Sequence, residues 1–279
     1  MAAELNPQEA QMADESMVRT LAAQATAIWP QEAPLFDRYR LPEASRILDG
    51  GCGTGEIASR LARRWPRAEV LGVDVLEGSL RLARERHAAL APRLRFEQRS
   101  LYALDLPDGA FDLTVCRHVI QSIPYPEKVL AELVRVTRPG GRLHLLAEDY
   151  GMVLFPPRHL DPGTFWRDGP LQVGAVTGTD MQVGRKAYSM LHGLGLTDLS
   201  VDYLVVDTLR VPRQTFVDIW TAWRDGYVDF IAEHSRFSRA EVVAHFEDMI
   251  ATLRDPSRYG AWMVPVLSGV RPDGGPASP

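Results

Sequence analysis

Residues 46–55 read Arg-Ile-Leu-Asp-Gly-Gly-Cys-Gly-Thr-Gly, a short apolar strand that ends in a carboxylate and passes into a glycine-rich turn. A helical pattern begins at Glu56 and runs through Ile57, Leu61 and Ala62. Glycine has no Cβ, so Gly51, Gly53 and Gly55 let the backbone turn sharply and let a ligand approach it. This strand–turn–helix unit restricts the fold more than any other stretch. It reads as the first crossover of a doubly wound parallel sheet, with a ligand crevice at the carboxyl end of the strand. The chain beyond it alternates in the same way. Strands are expected near 46–49, 69–73, 94–98, 111–116 and 142–147, and helices near 55–65, 77–90 and 126–137. Pro126 suits a first helical turn, and Pro139-Gly140-Gly141 reads as a stop and turn.

Two ligand classes compete for the crevice. Gly53-Thr54-Gly55-Glu56-Ile57-Ala58 fits the dinucleotide pattern G-x-G-x-x-A, and Asp74 lies about 20 residues on. A nicotinamide oxidoreductase also needs a hydride-transfer site, and no Tyr-x-x-x-Lys pair occurs. The longer string Asp49-x-Gly51-Cys52-Gly53-x-Gly55 is more specific. It resembles the first motif of the class I S-adenosylmethionine-dependent methyltransferases. Val70-Leu71-Gly72-Val73-Asp74 resembles the end of their second strand. Phe111–Cys116, the run Pro126–Val136 and Arg138-Pro139-Gly140-Gly141-Arg142-Leu143 resemble their fourth strand, fourth helix and Pro-Gly-Gly turn. The pattern is similar to the small-molecule members of ubiquinone and menaquinone biosynthesis. It covers 46–150 well and 172–210 loosely.

The resemblance implies an α/β fold with a doubly wound, mostly parallel seven-stranded sheet, and S-adenosyl-L-methionine as cofactor. It also implies roles for particular residues. Gly51, Cys52 and Gly53 approach the methionine tail and ribose, and Asp49 orients that loop and faces the amino end. Asp74 takes both ribose hydroxyls, since an ionised carboxylate offers two acceptor oxygens. Val75 lies along the adenine face, and Ser100 and Leu101 meet the adenine edge. Many relatives carry an acidic residue there; this chain has Ser100, with Asp105 further on. Arg117 and His118 end the fourth strand, where backbone carbonyls meet the methionine amino group.

Methyl transfer asks the protein to align a nucleophile, exclude water and, for some acceptors, remove a proton. His118 is the candidate base, because histidine exchanges protons near neutral pH. A packing or hydrogen-bonded role competes with that reading. Trp29, Tyr150, His159, Trp220 and Trp223 are the candidate substrate contacts, with plain core packing as the alternative for the tryptophans. Glu148 and Asp149 point toward the same crevice, but no third metal ligand accompanies them, so no metal is expected.

Around this core, residues 14–45 form an N-terminal helical segment, 46–211 and 262–272 the core, and 212–261 a helical insertion. An insertion of that length, rich in Trp and Phe, reads as a lid. Disorder is expected at 1–13 and 273–279. In 151–179, Pro156-Pro157, Pro162-Gly163 and Gly169-Pro170 forbid a long regular element. The formal charge of −5 and the absence of a Lys/Arg run argue against a nucleic-acid partner. Cys52 and Cys116 make neither a disulfide framework nor a metal spacing. The opening residues lack the cationic and apolar regions of a signal peptide, and no apolar run is long enough to span a membrane. These features place a cytoplasmic chain with a small-molecule partner and leave a homodimer open. A cofactor-binding protein without methyl transfer is the reading from another functional class.

Overall fold

The structure, a computed structural model, describes residues 5–273. Short apolar runs buried on both faces make the centre of the sheet. Strands β1 (Arg46–Gly50), β2 (Glu69–Asp74), β3 (Leu94–Gln98), β4 (Phe111–Arg117) and β5 (Thr137–Leu146) pair in parallel, in the order β3-β2-β1-β4-β5. Beyond β5 lies β8 (Ala261–Val270), antiparallel to β5 and to β7 (Thr197–Asp207).

The expected count of seven strands needs a correction to eight. Residues Val153–Leu154 form β6, which pairs with Trp262 and Ala261 of β8. The β5 ladder reaches only Val266 of β8, so β6 occupies backbone positions that β5 leaves open. Pro139-Gly140-Gly141 also differs from expectation. It is a kink inside β5, with Gly140 at φ +69° and a register slip opposite Phe111 and Leu113.

Helices cover both faces. Adjacent residues of β1 point to opposite sides: Ile47 packs with Ala58, Leu61 and Phe36, whereas Leu48 packs with Leu101, Leu130 and Leu133. The crossover helices are α3 (Glu56–Arg64), α4 (Glu77–Arg86) and α5 (Pro126–Val136), followed later by α8 (Gly184–Gly193). Between β6 and α8 the prolines break the chain into two short helices, α6 (Pro162–Asp168) and α7 (Pro170–Thr177), each with proline in its first turn.

At the N-terminus, helix α1 (Glu9–Ala13) is followed by α2 (Glu15–Asp37). Asp14 separates them, accepting from the Ser16 N–H at 2.8 Å as the cap of α2. Residues Glu9–Ala13, where disorder is expected, form α1 in the structure; residues 1–4 and 274–279 lie outside the described residues. Pro30 and Pro34 sit inside α2 on its exposed side, where the carbonyls they free can reach water. The buried face of α2 is apolar except for Ser16, Thr20, Gln24 and Glu32.

Helices α9 (Arg213–His234) and α10 (Arg239–Arg254) pack on each other, and α9 packs on α2. Ser238 and Glu241 close a capping box at the start of α10. Their apolar faces join Trp166, Phe165 and Trp262 in an aromatic core beside the sheet edge.

Candidate functional site

The carboxyl ends of β1, β2, β4 and β5 open into a cavity of about 470 Å³. Gly51 and Cys52 donate their N–H groups to the Val73 carbonyl at 2.8 and 3.0 Å, which ties the glycine loop to β2. Gly51 has φ +75° and Gly53 φ +50°, a region costly for other residues. A Cβ on Gly51 would come within 2.4 Å of the Val119 side chain, and one on Gly53 within 2.6 Å of Leu21. Asp74 accepts from Gly53 N–H at 2.9 Å and from Leu76 N–H at 3.0 Å. Burial pushes its carboxyl pKa up, and those backbone donors oppose the shift. Each oxygen keeps a second lone pair, and Asp74 lines the cavity with Val75, Ser100 and Leu101.

Arg117 and His118 leave β4 on the same wall. Arg117 donates from Nε to Glu32 Oε1 at 2.8 Å, and the ring Nε2 of His144 lies 2.9 Å from the same oxygen. The Tyr39 hydroxyl meets His144 Nδ1 at 2.7 Å. Burial alone would raise the pKa of Glu32, yet Arg117 and His144 hold it below the usual carboxylate range. Burial also pushes Tyr39 up to about 12. This chain of buried polar groups ties α2 to the sheet under the cavity. Asp49 belongs to the same neighbourhood: burial pushes its carboxyl up to about 7, against the pull of the Arg117 charge.

His118 stands at φ +57°, a left-handed conformation uncommon for histidine. Its Nδ1 bonds Glu148 Oε1 just past the end of β5. His118 Nε2, Glu148 Oε2, Gln121 Oε1 and Arg117 Nη2 are all buried without a partner among the described residues. The rings of Tyr150, Trp223 and Tyr227 close the opposite side. From the N-terminus, Met17, Thr20, Leu21 and Gln24 of α2 complete the lining, with Leu5, Asn6, Glu9 and Met12 before it.

The structure thus brings Gly51, Gly53, Asp74, Val75, Ser100, Leu101, Arg117, His118, Tyr150 and Trp223 to one cavity. Five expected contacts are not in its lining. Cys52 packs against Gly72 and Phe96 as a small buried side chain. Asp49 is buried in β1 away from the lining, although its Oδ2 has no partner among the described residues. Trp29 is half-buried and packs on Phe36 at 5.7 Å, in the core cluster beneath β1 and away from the cavity. Trp220 is fully enclosed by Phe155, Phe216 and Trp262. His159 is exposed, because Asp248 of α10 accepts its backbone N–H at 3.2 Å and that of Leu160 at 3.2 Å, holding the loop outside. Asp149, paired with Glu148 in sequence, is committed elsewhere: Arg185 donates to it at 2.6 and 2.8 Å. Gln121 escaped the sequence reading, as did the particular α2 residues that line the cavity; Tyr227 groups with Trp220 and Trp223 between substrate contact and packing, and the structure puts it in the lining. The available signal was the i, i+3, i+4, i+7 set Met17, Thr20, Leu21 and Gln24, where polar residues interrupt an apolar stripe.

Comparison with known proteins agrees with this geometry. Residues 47–141 match the family described as a methyltransferase domain. Demethylmenaquinone methyltransferase of Thermus thermophilus is 37% identical over 139 residues, covering 50% of this chain and 59% of that protein. Trans-aconitate 2-methyltransferase of Variovorax paradoxus is 37% identical over 115 residues, covering 41% of this chain and 43% of that protein. This chain therefore spans about half the length of these relatives. A solved structure of Haemonchus contortus phosphoethanolamine N-methyltransferase 2, which holds phosphomonomethylethanolamine and S-adenosylhomocysteine, superposes with a TM-score of 0.56. It is 18% identical and covers 88% of this chain and 53% of that one. The fold is that of the class I methyltransferases. The segment that builds the glycine loop, Asp74 and His118 is a methyltransferase domain.

The side chains fit S-adenosylmethionine. Asp74 offers two oxygens to adjacent hydroxyls, and the glycines leave no Cβ between backbone and ligand. Arg117 reaches the cavity wall with its Nη2 unpartnered among the described residues, and this free N–H suits the carboxylate of a methionine tail; Asp49 lies behind that wall.

Proposed function

We propose that the protein is an S-adenosylmethionine-dependent methyltransferase that delivers a methyl group to O, N or C of a small, fairly apolar metabolite by in-line displacement. One observation carries the reading. The His118–Glu148 pair, with its outer ring nitrogen free, faces the same cavity as Gly51, Gly53 and Asp74. When bound, S-adenosylmethionine supplies a methyl carbon already activated by its sulfonium. Asp74 would hold the ribose hydroxyls, Gly51 and Gly53 the close backbone approach, and Arg117 the carboxylate of the methionine end, with Asp49 behind the loop. Glu148 accepts the Nδ1–H of His118, which leaves Nε2 to take a proton from the nucleophile. The carboxylate then steadies the imidazolium, as in other carboxylate–histidine pairs.

The two curated relatives are named for chemically unlike acceptors, a quinone precursor and a small polyacid. The rings of Tyr150, Trp223 and Tyr227 favour the apolar kind for this chain. Residues 212–261 act as the lid on that side, 14–45 as the N-terminal cover, and 46–211 with 262–272 as the core. We place the reaction in cytoplasmic secondary metabolism; among the described residues no helix is long and apolar enough to cross a membrane. A thermal-shift comparison tests the cofactor. S-adenosylhomocysteine should raise the melting temperature and NAD or NADP should not, since only a ligand that prefers the folded state stabilises it. Stabilisation by a nicotinamide cofactor alone would overturn the reading. Detection of a methylated product together with S-adenosylhomocysteine separates catalysis from mere cofactor binding.

A further inference from the structure

Next to the large cavity lies a smaller chamber of about 50 Å³. Tyr150, Trp223 and Tyr227 line both spaces and form the partition. Much of the remaining lining is apolar, from Val173, Met181, Phe230 and Ile231. Two buried N–H donors interrupt it. Gln8 is 1% exposed; its Oε1 accepts the Tyr227 hydroxyl at 3.3 Å, and its Nε2 has no partner among the described residues. Trp166 is 6% exposed and stacks on Tyr150 at 5.3 Å, and its Nε1 likewise has no partner among the described residues. Leaving a buried donor unpaired costs folding free energy. Two of them around one small chamber mark a place where an acceptor atom binds. A single water needs roughly 10–15 Å³ of such space, so the chamber takes a group of a few heavy atoms. It is too small for a second substrate.

We propose that this chamber is a distal subsite for the methyl acceptor, in which Gln8 Nε2 and Trp166 Nε1 recognise an uncharged oxygen on an apolar body. The oxygen is that of a carbonyl, ester or ether. The inference rests on the methyl-acceptor reading of the large cavity. The two ends of the site have opposite polarity. At the head end, Glu148 Oε2 and Gln121 Oε1 are free acceptors beside His118 Nε2, so the nucleophile arrives as an X–H group. At the distal end the free side-chain atoms are donors. Among the described residues no Arg, Lys or His lines the chamber, so it suits a neutral oxygen and not a carboxylate. Acceptors with the nucleophile at one end and such an oxygen at the other are selected. Gln8 makes the N-terminal segment part of specificity as well as of the cover.

Acetophenone and ethylbenzene test this, because they share a shape and differ in the carbonyl oxygen. Binding of each to the full chain is followed by tryptophan fluorescence. Acetophenone should bind about tenfold more tightly, the worth of one hydrogen bond to a buried donor. Gln8→Leu and Trp166→Phe should each reduce that preference, with ethylbenzene binding little changed. Gln8→Leu lies outside the main core, so it keeps the test valid where Trp166→Phe fails to fold. Equal binding of the two probes, no saturable binding of either, or an intact preference in Gln8→Leu would overturn the subsite and leave the chamber to ordered water. Stabilisation by S-adenosylhomocysteine, measured on the same samples, tells these failures apart. If it persists while the oxygen preference is missing, the subsite alone is wrong. If it is absent, the methyl-transfer reading falls as well.

Discussion

The wall made by residues 49–76 and the wall made by Tyr150, Trp223 and Tyr227 face one cavity and are built in different ways. The first is mainly backbone. Val73 O takes two loop N–H groups, Asp74 takes two more, and positive-φ glycines leave no room for a Cβ. The second is rings on rings: Trp223 meets Trp220 at 4.8 Å and Trp262 at 5.3 Å, and Tyr150 stacks on Trp166. A backbone-built wall changes shape only if the chain path changes, so it suits a ligand common to many proteins. A ring-built wall can be recut by one substitution on a fixed backbone, so it suits the ligand that differs from one protein to the next.

The sharpest test of this division is a substitution between the walls. His118→Asn keeps a residue that tolerates positive φ and removes the base. Turnover should fall by about 10²–10⁴ while S-adenosylhomocysteine affinity barely moves. Near-normal turnover would take His118 out of catalysis and leave it as a hinge between the walls. The next effect is on stability. In the folded chain Asp49 is pushed up to about 7, whereas an unfolded Asp titrates near 3.9. Between those values the folded state binds more protons, so stability falls as pH rises through that window. The loss is on the order of 3 kcal/mol. Urea titrations of the ligand-free protein at pH 5 and pH 8 should show Asp49→Asn gaining on the wild type at the higher pH. Parallel behaviour would mean that the Asp49 carboxyl is not perturbed.

Asp74→Ala tests the backbone wall directly. Losing charge-assisted bonds worth roughly 1.5–3 kcal/mol should weaken S-adenosylhomocysteine about tenfold to a hundredfold by calorimetry. Unchanged affinity in a folded variant would remove Asp74 from the cofactor site. The smallest effect belongs to the ring wall. Trp223→Leu should raise KM for the acceptor about threefold to tenfold, the scale of one aromatic contact, with cofactor affinity unchanged. Trp220→Leu is the paired control: one turn away and enclosed, it should lower the melting temperature and leave KM alone. If the two tryptophans behave alike, the cavity wall does not end where the geometry places it.

The same division explains what the sequence revealed. Asp49 to Asp74 were readable because the loop, the strand before it and the helix after it are neighbours in the chain. The His118–Glu148 pair joins residues 30 apart, just past the ends of two strands that are adjacent only in the folded sheet. Gln8 meets Tyr227 across 219 positions, and no local pattern signals that. Trp220 and Trp223 share helical spacing, so which of them faces the cavity depends on how α9 is rolled against α2. His159 sits in a segment that sequence places near the crevice, and Asp248, 89 residues later, holds it away.

The buried pair of Arg117 with Glu32 sets a limit on modularity. The stretch recognisable by pattern, 47–141, contains the arginine, and its carboxylate lies in the helix before it. A fragment cut at residue 45 would keep an enclosed cation and discard its counter-charge. Breaking such a pair costs about 3–5 kcal/mol, a large share of the roughly 5–15 kcal/mol that holds a domain together. The piece that can be transplanted is therefore longer than the piece that can be recognised. A chimera that borrows this glycine loop must take residues 15–37 with it.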